Sequence, residues 1–178
     1  ACPSMGACSS LGTANTMQIL TEALGMTLPG SSTIPAVFTD KIVSCRHMGS
    51  RIVQMVYEDL RPSKIMTRKA LENAIRMDLA IGGSTNAVLH IPALANELGI
   101  DLTADEFEKF NRTTPCIANV RPSGIYAVDD LHFAGGVPQL FKQLESLVHK
   151  ECLNVNGQTL GEILEHVKDA PNDVIRTV

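Results

Sequence analysis

Apolar residues recur at helical spacing near the start of the chain. Met17, Leu20 and Leu24 fall on one face of a helix predicted over residues 13–24. Gly25 follows this run, and glycine readily adopts the left-handed conformation that ends many helices. The pattern predicts an amphipathic helix with one buried face.

A longer helix is predicted from Pro35 to about Leu60, because proline suits a first helical turn and Pro62 stops the pattern. Its apolar positions recur at helical spacing, so we expect them to face the core. These expected core positions are Ile42, Val43, Ile52, Val53 and Val56.

A third helix is predicted from Thr67, a suitable N-cap, to the Gly82-Gly83 pair. Ser84 is expected to cap the next helix, in which Pro92 predicts either a kink or a new start. The third helix carries its apolar residues at Leu71, Ala74, Ile75 and Leu79.

The second half of the chain combines helix starts with short strand-like runs. Thr-x-x-Glu capping boxes at 103–106 and 159–162 mark two helix starts, and proline opens a further helix predicted over 138–149. Strand-like runs occupy 117–120, 125–128 and 153–155. These elements predict a helix-rich α/β fold. From about Asp169 the residues are mostly polar, which is typical of a linker.

Composition excludes several classes of function. A net charge of −4 and the absence of tryptophan disfavour nucleic-acid binding. The sequence shows no apolar run of the roughly eighteen residues that a membrane span needs and no secretory signal. The cysteines are odd in number and lack disulfide spacing, so we expect a reducing compartment, the cytoplasm or an organelle matrix.

Cys8 is the strongest candidate for chemistry. It lies in a loop of small residues just before the first helix, where unpaired backbone amides and the helix dipole favour a thiolate, the form that binds metals. Its spacing from Cys2 fits neither a redox pair nor a zinc knuckle. On these residues a metal ligand and a buried structural thiol both remain open.

Six runs, in order along the chain, resemble the dihydroxy-acid and sugar-acid (phosphogluconate-type) dehydratase family. They are CSSLGTANTM at 8–17, EALGM at 22–26, LPGSS at 28–32, AIGGSTNAVLH at 80–90, DDLHFAGGVP at 129–138 and LNVNGQTL at 153–160. The resemblance implies that residues 1–168 belong to a layered α/β/α N-terminal domain that binds a cluster. It implies that residues 169–178 lead to a C-terminal domain.

This resemblance implies a hydro-lyase that dehydrates a 2,3-dihydroxy carboxylic acid, either a branched-chain dihydroxy acid or a sugar acid, to a 2-keto acid. Cys8 would ligate an iron–sulfur cluster, [2Fe–2S] or [4Fe–4S], with two cysteines upstream of this sequence, and Cys2 is a weaker candidate. The Mg²⁺ ligands and a serine base would lie elsewhere in a longer, dimeric or tetrameric protein. The 178-residue chain alone would then be inactive.

Two small-residue loops are candidate substrate-binding segments, through Ser31 and Ser32 in one and Ser84, Thr85 and Asn86 in the other. The second loop leads into a helix N-terminus, where backbone amides can bind a carboxylate or phosphate. A C-cap followed by an N-cap explains the same residues, so both interpretations stand.

Other polar residues have simpler interpretations. For His132 we expect a hydrogen bond to a neighbour, and for His90 a buried position in the core. Asp78 is expected to pair with Arg76. The acidic pairs at 105–106 and 129–130 are explained by their positions at helix N-termini. The alternative to an enzyme is a helical binding or assembly module in which Cys8 is a buried structural thiol.

Overall fold

Helices dominate the computed structural model, which describes residues 5–178. The β-structure of these residues consists of isolated bridges, so the chain is helix-rich with few strand residues, as predicted. The helices of the described part are α1 Thr13–Ala23, α2 Thr39–Tyr57, α3 Pro62–Ile65, α4 Arg68–Ile81, α5 Ala87–Glu97, α6 Ala104–Asn111, α7 Val128–Phe133, α8 Gly136–Gln143 and α9 Leu160–Glu165.

Local capping signals define several of these boundaries. The Thr67 hydroxyl accepts a hydrogen bond from the amide of Ala70 at the start of α4, and Gly82 ends that helix in the left-handed conformation. Gly25, with a φ of 80°, follows α1. At α9 the Thr159 and Glu162 side chains form the predicted capping box.

Some predicted helix starts are displaced because the flanking residues form turns. Residues 35–38 form a turn closed by the amide of Phe38 and the carbonyl of Pro35, 3.1 Å apart, so α2 begins at Thr39. Asn86 is the N-cap of α5, not Ser84, and this helix continues through Pro92 without a new start. Thr103 precedes α6 but makes no side-chain capping bond.

Tertiary contacts also shorten the helix predicted over 138–149. α8 ends at Gln143, because His149 is held by α4 instead. The His149 amide donates to Asn73 Oδ1 at 2.8 Å, and the Asn73 side-chain amide donates to the His149 carbonyl at 2.9 Å. A buried asparagine thus replaces the backbone partners that a longer helix would have supplied.

The core is organised around α4. This helix contacts α1, α5, α6 and α8, and its predicted apolar residues Leu71, Ala74 and Ile75 are fully buried. Leu20 of α1 and Leu140 of α8 join the same core. The two helices that border the candidate site, α1 and α7, are thereby placed against a single apolar core.

The prediction for α2 was wrong about burial. All five expected core positions are between 40% and 74% exposed: Ile42, Val43, Ile52, Val53 and Val56. The opposite side of the helix meets the body of the protein through Met55, which packs in a small separate cluster with Ile65 and Val155. The apolar face of α2 has no covering element among the described residues.

The strand-like runs pair by single bridges rather than as strands. Val120 bridges Tyr126, Leu153 bridges Thr159, and Ala118 bridges Ile175 near the end of the chain. The run at 125–128 is cut short because α7 begins at Val128. The layered α/β/α arrangement and the assignment of residues 1–168 to one domain stay predictions. Residues 169–178 were expected to form a linker, but they place the fully buried Ile175 in the main core.

Candidate functional site

Cys8 lies on the surface, in the loop before α1. Its sulfur is 3.3 Å from the Ser10 hydroxyl. This hydrogen bond, with smaller contributions from the backbone of Ser10 and Ser9, holds the pKa of the Cys8 thiol below its usual value. An exposed thiol with a lowered pKa suits ligation or reaction, and its exposure contradicts the alternative in which Cys8 is a buried structural residue.

Three hydrogen bonds from two residues hold the backbone around Cys8. The buried side chain of Asn15 donates to the carbonyls of Cys8 and Ser10, at 2.7 and 2.8 Å. The carbonyl of Ser9 accepts from the amide of Val128, at the start of α7, at 3.0 Å. Sequence reasoning assigned Asn15 no role. Its position in the first turn of α1, just after a small-residue loop, is the signal that would have identified it.

A cavity of about 90 Å³ adjoins this loop. Its walls come from residues far apart in the chain: Cys8, Asn15, Ser32, Thr33, Lys41 and Asp129. The predicted candidates Cys8 and Ser32 therefore meet in one cavity. Lys41 and Asp129 add one potential positive and one potential negative charge, neither of which the sequence pattern had placed there.

Glu22 organises the Ser31–Ser32 loop from within. This nearly fully buried carboxylate accepts from the amide of Gly30 at 2.5 Å, and from both the amide and the hydroxyl of Ser32, at 3.0 and 2.5 Å. Burial raises the pKa of Glu22, while the hydrogen bonds from Ser32 and Gly30 oppose the rise. The Ser32 hydroxyl is therefore engaged in holding the loop.

Ser31 supports this wall of the cavity through its contact with Lys41. The Ser31 hydroxyl donates to the carbonyl of Leu28 at 2.6 Å and is itself buried. The ammonium of Lys41 donates to the Ser31 carbonyl at 3.0 Å. Ser31 thus positions a cation at the cavity through its backbone. A substrate-binding role for its hydroxyl stays a prediction.

His132 lies beside this wall, on α7. Its Nδ1 is 3.2 Å from the Thr33 hydroxyl, which confirms the expected hydrogen bond to a neighbour. Burial lowers the pKa of His132, so the neutral imidazole is favoured. Among the other acidic and basic candidates, Asp130 caps α7 by accepting from the amide of Ala127 at 2.8 Å, as its position at a helix start predicts.

The second candidate loop, residues 82–86, docks on the start of α1. The Ser84 hydroxyl is 3.0 Å from the Thr13 hydroxyl, and the Asn86 side-chain amide donates to the same Thr13 oxygen at 2.7 Å. The Ser84 amide donates to Thr16 Oγ1 at 3.1 Å. These contacts join the loop to the helix that carries Asn15. The cap interpretation accounts for Gly82, the C-cap residue of α4, and for Asn86, the N-cap residue of α5.

Thr85 faces a different cavity, of about 330 Å³, which it shares with Asp78 and Glu108. None of Ser84, Thr85 and Asn86 lines the cavity beside Cys8 within the described chain. The structure therefore separates the predicted substrate residues into two groups on either side of α1. Their substrate-binding roles stay predictions.

Asp78 lies under the second cavity and departs from its predicted pairing. Arg76 instead donates to the hydroxyls of Thr113 and Thr114 and lies over the ring of Phe110. The Oδ1 atom of Asp78 is buried without a hydrogen-bond partner among residues 5–178, and burial raises its pKa to about 7. The prediction for His90 was also wrong, because its side chain is exposed on α5.

Metal ligation by this chain would rest on Cys8. Over residues 5–178, no three histidine, cysteine, aspartate or glutamate side chains are grouped so that they could hold a metal ion. Cys2 lies outside the described residues. The chemistry of Cys8 fits one ligand of an iron–sulfur cluster, whereas the described carboxylates do not fit a Mg²⁺ site. No helix in the described part of the chain is long and apolar enough to span a membrane.

Comparison with known proteins agrees with the motifs. The family described as dihydroxy-acid/6-phosphogluconate dehydratase N-terminal matches residues 1–163. The chain is 52% identical to the dihydroxy-acid dehydratase of Ignicoccus hospitalis over 96% of its own length and 31% of the relative. The corresponding protein of Methanothermobacter thermautotrophicus is 48% identical over 99% of this chain and 32% of the relative.

A third relative, the dihydroxy-acid dehydratase of Caldanaerobacter subterraneus subsp. tengcongensis, is 46% identical over 100% of this chain and 32% of its own length. The chain thus spans about a third of the length of the curated relatives it matches. Matches of this extent to both the N-terminal model of the family and its individual members show that the chain belongs to the dihydroxy-acid/6-phosphogluconate dehydratase family.

Proposed function

We propose that this chain is the cluster-binding part of a hydro-lyase that converts a 2,3-dihydroxy carboxylic acid into a 2-keto acid. The observation that carries the proposal is the exposed Cys8 thiol, with its lowered pKa, at the edge of a cavity in a chain of this family. The relatives' names favour a dihydroxy acid over a sugar acid as the substrate. Branched-chain amino acid biosynthesis, as the setting, rests on the resemblance alone.

Cys8 would hold one iron of the cluster, of either the [2Fe–2S] or the [4Fe–4S] type. When bound, an iron–sulfur cluster with an iron free of protein thiolate supplies a Lewis acid that can withdraw a hydroxyl group. The hydrogen bond with the Ser10 hydroxyl favours the thiolate that ligation needs, and the Asn15 side chain fixes the carbonyls of Cys8 and Ser10. These residues position the ligand before any metal binds.

Lys41 supports binding of an anionic substrate at the same cavity. Its ammonium is oriented by the Ser31 carbonyl, and Glu22 holds the intervening loop through Gly30 and Ser32. A carboxylate group that enters the cavity would gain a charge-assisted hydrogen bond from this cation. Mg²⁺ ligation, the catalytic base, homodimeric assembly and a cytoplasmic location stay predictions from the resemblance.

The test is the iron and acid-labile sulfide content of the full-length protein and its Cys8→Ser variant, both purified without oxygen. We expect bound iron and dehydratase activity to fall together in the variant. The loss should exceed the roughly 10–100-fold loss of metal affinity or activity that follows when a residue that only hydrogen-bonds to a metal ligand is replaced. Serine keeps the size of the side chain and removes the thiolate, so the fold of the loop should survive.

Cys116→Ser is the matched control. Cys116 is also an exposed residue, but its sulfur is partly buried, and this burial raises the pKa of its thiol. This variant should keep its iron and its activity. An unchanged iron content in Cys8→Ser would contradict ligation by Cys8. Iron loss without loss of turnover of a dihydroxy acid would contradict the proposed reaction while leaving Cys8 as a ligand.

A further inference from the structure

The first turn of α1 makes hydrogen bonds on two different sides. Thr13 and Thr16 are three residues apart and therefore share one face of the helix, where both bond to the loop over residues 82–86. Asn15 points to another side of the same turn, where its buried side chain donates to the Cys8 carbonyl at 2.7 Å. Because Asn15 bonds Cys8 directly, a shift of this turn moves the backbone of Cys8 with it.

This turn has no side-chain cap of its own. Its N-cap residue is Gly12, which has no side chain to accept from the first amides of the helix, so neighbouring segments have to fix the start of α1. Just before the helix, the Leu11 amide donates to the Arg121 carbonyl at 2.7 Å. The 82–86 loop adds three hydrogen bonds to the turn itself, between 2.7 and 3.1 Å long. The orientation of the turn therefore depends on this loop.

Gly83 brings the loop close enough to α1 for these bonds. A Cβ atom at this position would collide with the carboxyl group of Asp78 and would lie 2.9 Å from the methyl group of Thr16. Any larger residue would therefore push the loop away from α1 or displace the Asp78 side chain. The Gly83 amide also donates to the Asp78 carbonyl at 2.9 Å. The loop is thus attached to α4 on one side and to α1 on the other.

Asn86 bonds α1 and does not cap the helix that it precedes. Although it is the N-cap residue of α5, its side chain makes no capping hydrogen bond. Its side-chain amide donates instead to the Thr13 hydroxyl at 2.7 Å, across 73 residues of sequence. Ser84 has the same partner, since its hydroxyl is 3.0 Å from the Thr13 hydroxyl. Two side chains of this loop therefore converge on one oxygen atom of α1.

We propose that Asn86 and Ser84 are positioning residues and not substrate ligands. Through Thr13 they fix the first turn of α1, and Asn15 on that turn holds Cys8 in place for cluster ligation. This inference rests on the proposed role of Cys8 as a ligand. The polar atoms that Asn86 and Ser84 direct at α1 are already paired, and neither residue lines the cavity beside Cys8 within residues 5–178. Residues that orient a metal ligand without contacting the metal commonly alter metal affinity.

The first test observes the Cys8 loop without any metal. Amide hydrogen exchange, followed by mass spectrometry in the full-length protein freed of iron, reports the opening of residues 8–17. Asn86→Ala removes the hydrogen bond to Thr13 without removing a cap from α5. We expect exchange over residues 8–17 to become roughly 2- to 10-fold faster, the factor that corresponds to one hydrogen bond. Asn96→Ala makes the same change at an exposed position near the other end of α5, and it should exchange like the wild type.

The second test measures whether looser positioning affects the cluster. For the full-length protein purified without oxygen, we compare the rate of iron loss to a chelator and the midpoint potential of the bound cluster. Asn86→Ala and Thr13→Val should each lose iron roughly tenfold faster than the wild type and show an altered potential. A residue that only stabilised the fold would lower the unfolding temperature and leave the potential unchanged. A substrate ligand would raise KM without changing iron loss in the absence of substrate.

The combined variant Thr13→Val/Asn86→Ala tests whether the two residues act along one path. Thr13→Val already removes the oxygen atom that Asn86 binds, so the added Asn86→Ala change should have no further effect. We expect the combined variant to lose iron at the rate of Thr13→Val. Rates that multiply would mean that the two residues act separately.

Three results would overturn the proposal. The first is hydrogen exchange over residues 8–17 in Asn86→Ala that equals that of the wild type. The second is faster exchange with unchanged iron loss and potential. The third is a rise in KM alone, which would make Asn86 a substrate ligand. If Cys8→Ser loses its iron while Asn86→Ala keeps it, only the positioning role fails, whereas iron retained in Cys8→Ser contradicts the proposed ligation itself.

Discussion

Two buried carboxylates show how strongly the surroundings of a single side chain decide its behaviour. Glu22 accepts three hydrogen bonds from one loop, so its buried oxygens are satisfied and it holds the cavity wall in place. Asp78 has one oxygen without a partner among the described residues. The first carboxyl group organises a loop, whereas burial without a partner for that oxygen raises the pKa of the second to about 7.

Asp78→Asn should therefore stabilise the protein at high pH. An unfolded aspartate has a pKa near 3.9, and the folded pKa of about 7 means that folding retains a proton between these values. Stability is lost as pH rises through this window, by about 2–4 kcal/mol in total. Asparagine cannot ionise, so we expect the variant to match the wild type near pH 4 and to exceed it by that amount at pH 8.

Urea unfolding at a series of pH values measures this difference. Asp101→Asn serves as the control, because the side chain of Asp101 is exposed, and its stability should follow that of the wild type throughout. A difference between Asp78→Asn and wild type that does not change between pH 4 and pH 8 would mean that Asp78 stays ionised in the folded protein.

The helices α2 and α4 show that apolar residues at helical spacing predict a helix but not its burial. Both were predicted from apolar residues at helical spacing, and both form. The spacing identifies which residues share a face, but it does not say whether another element covers that face. Neighbouring helices cover the apolar residues of α4, whereas the apolar face of α2 points outward.

Matched isoleucine substitutions in these two helices should therefore have unequal effects. Ile75→Ala, at a fully buried position in α4, should cost about 2–5 kcal/mol in the free energy of unfolding, because it leaves a cavity among packed neighbours. Ile42→Ala, at a position 58% exposed in α2, should change the free energy of unfolding by no more than about 0.5 kcal/mol.

Chemical unfolding of both variants and the wild type in dilute solution makes this comparison. Equal losses of stability in the dilute protein would show that α2 is packed against another part of the same chain.

For the molecule as a whole, the end of the chain is a structural part of the domain. Residues 169–178 were predicted to be a linker from their polar composition, yet Ile175 is fully buried in the main core. The amide of Asn119 donates to the carbonyl of Val174 at 2.8 Å, and that of Arg176 donates to the carbonyl of Ile117 at 3.0 Å. These bonds tie the last residues to the run at 117–120.

Ile175→Ala should lower the free energy of unfolding by about 2–4 kcal/mol. Its side chain packs in the core against residues that are distant in sequence, and its removal leaves a cavity. Val178→Ala is the matched control, since this side chain is 58% exposed and its loss should have little effect. Thermal unfolding by calorimetry measures both. A midpoint for Ile175→Ala equal to that of Val178→Ala would mean that the end of the chain is detached from the core in solution.

The amino-acid pattern alone was enough for the family, the helix-rich fold and most helix boundaries. Thr67, Gly82 and Thr159 act on backbone groups within a few residues of themselves, so their effects can be read locally. The same holds for the small-residue loop before α1, which places Cys8 just ahead of a helix. Motifs kept in order along the chain were sufficient to indicate the family.

Tertiary structure decided the rest, because burial and partners depend on residues distant in sequence. It turned Glu22 inward onto the Ser31–Ser32 loop, left Asp78 without a partner among the described residues, and brought Lys41 and Asp129 to the cavity beside Cys8. It also left the apolar face of α2 in solvent and drew Ile175 into the core. A helical or polar pattern describes one segment, whereas the free energy of placing that segment depends on the surface it meets.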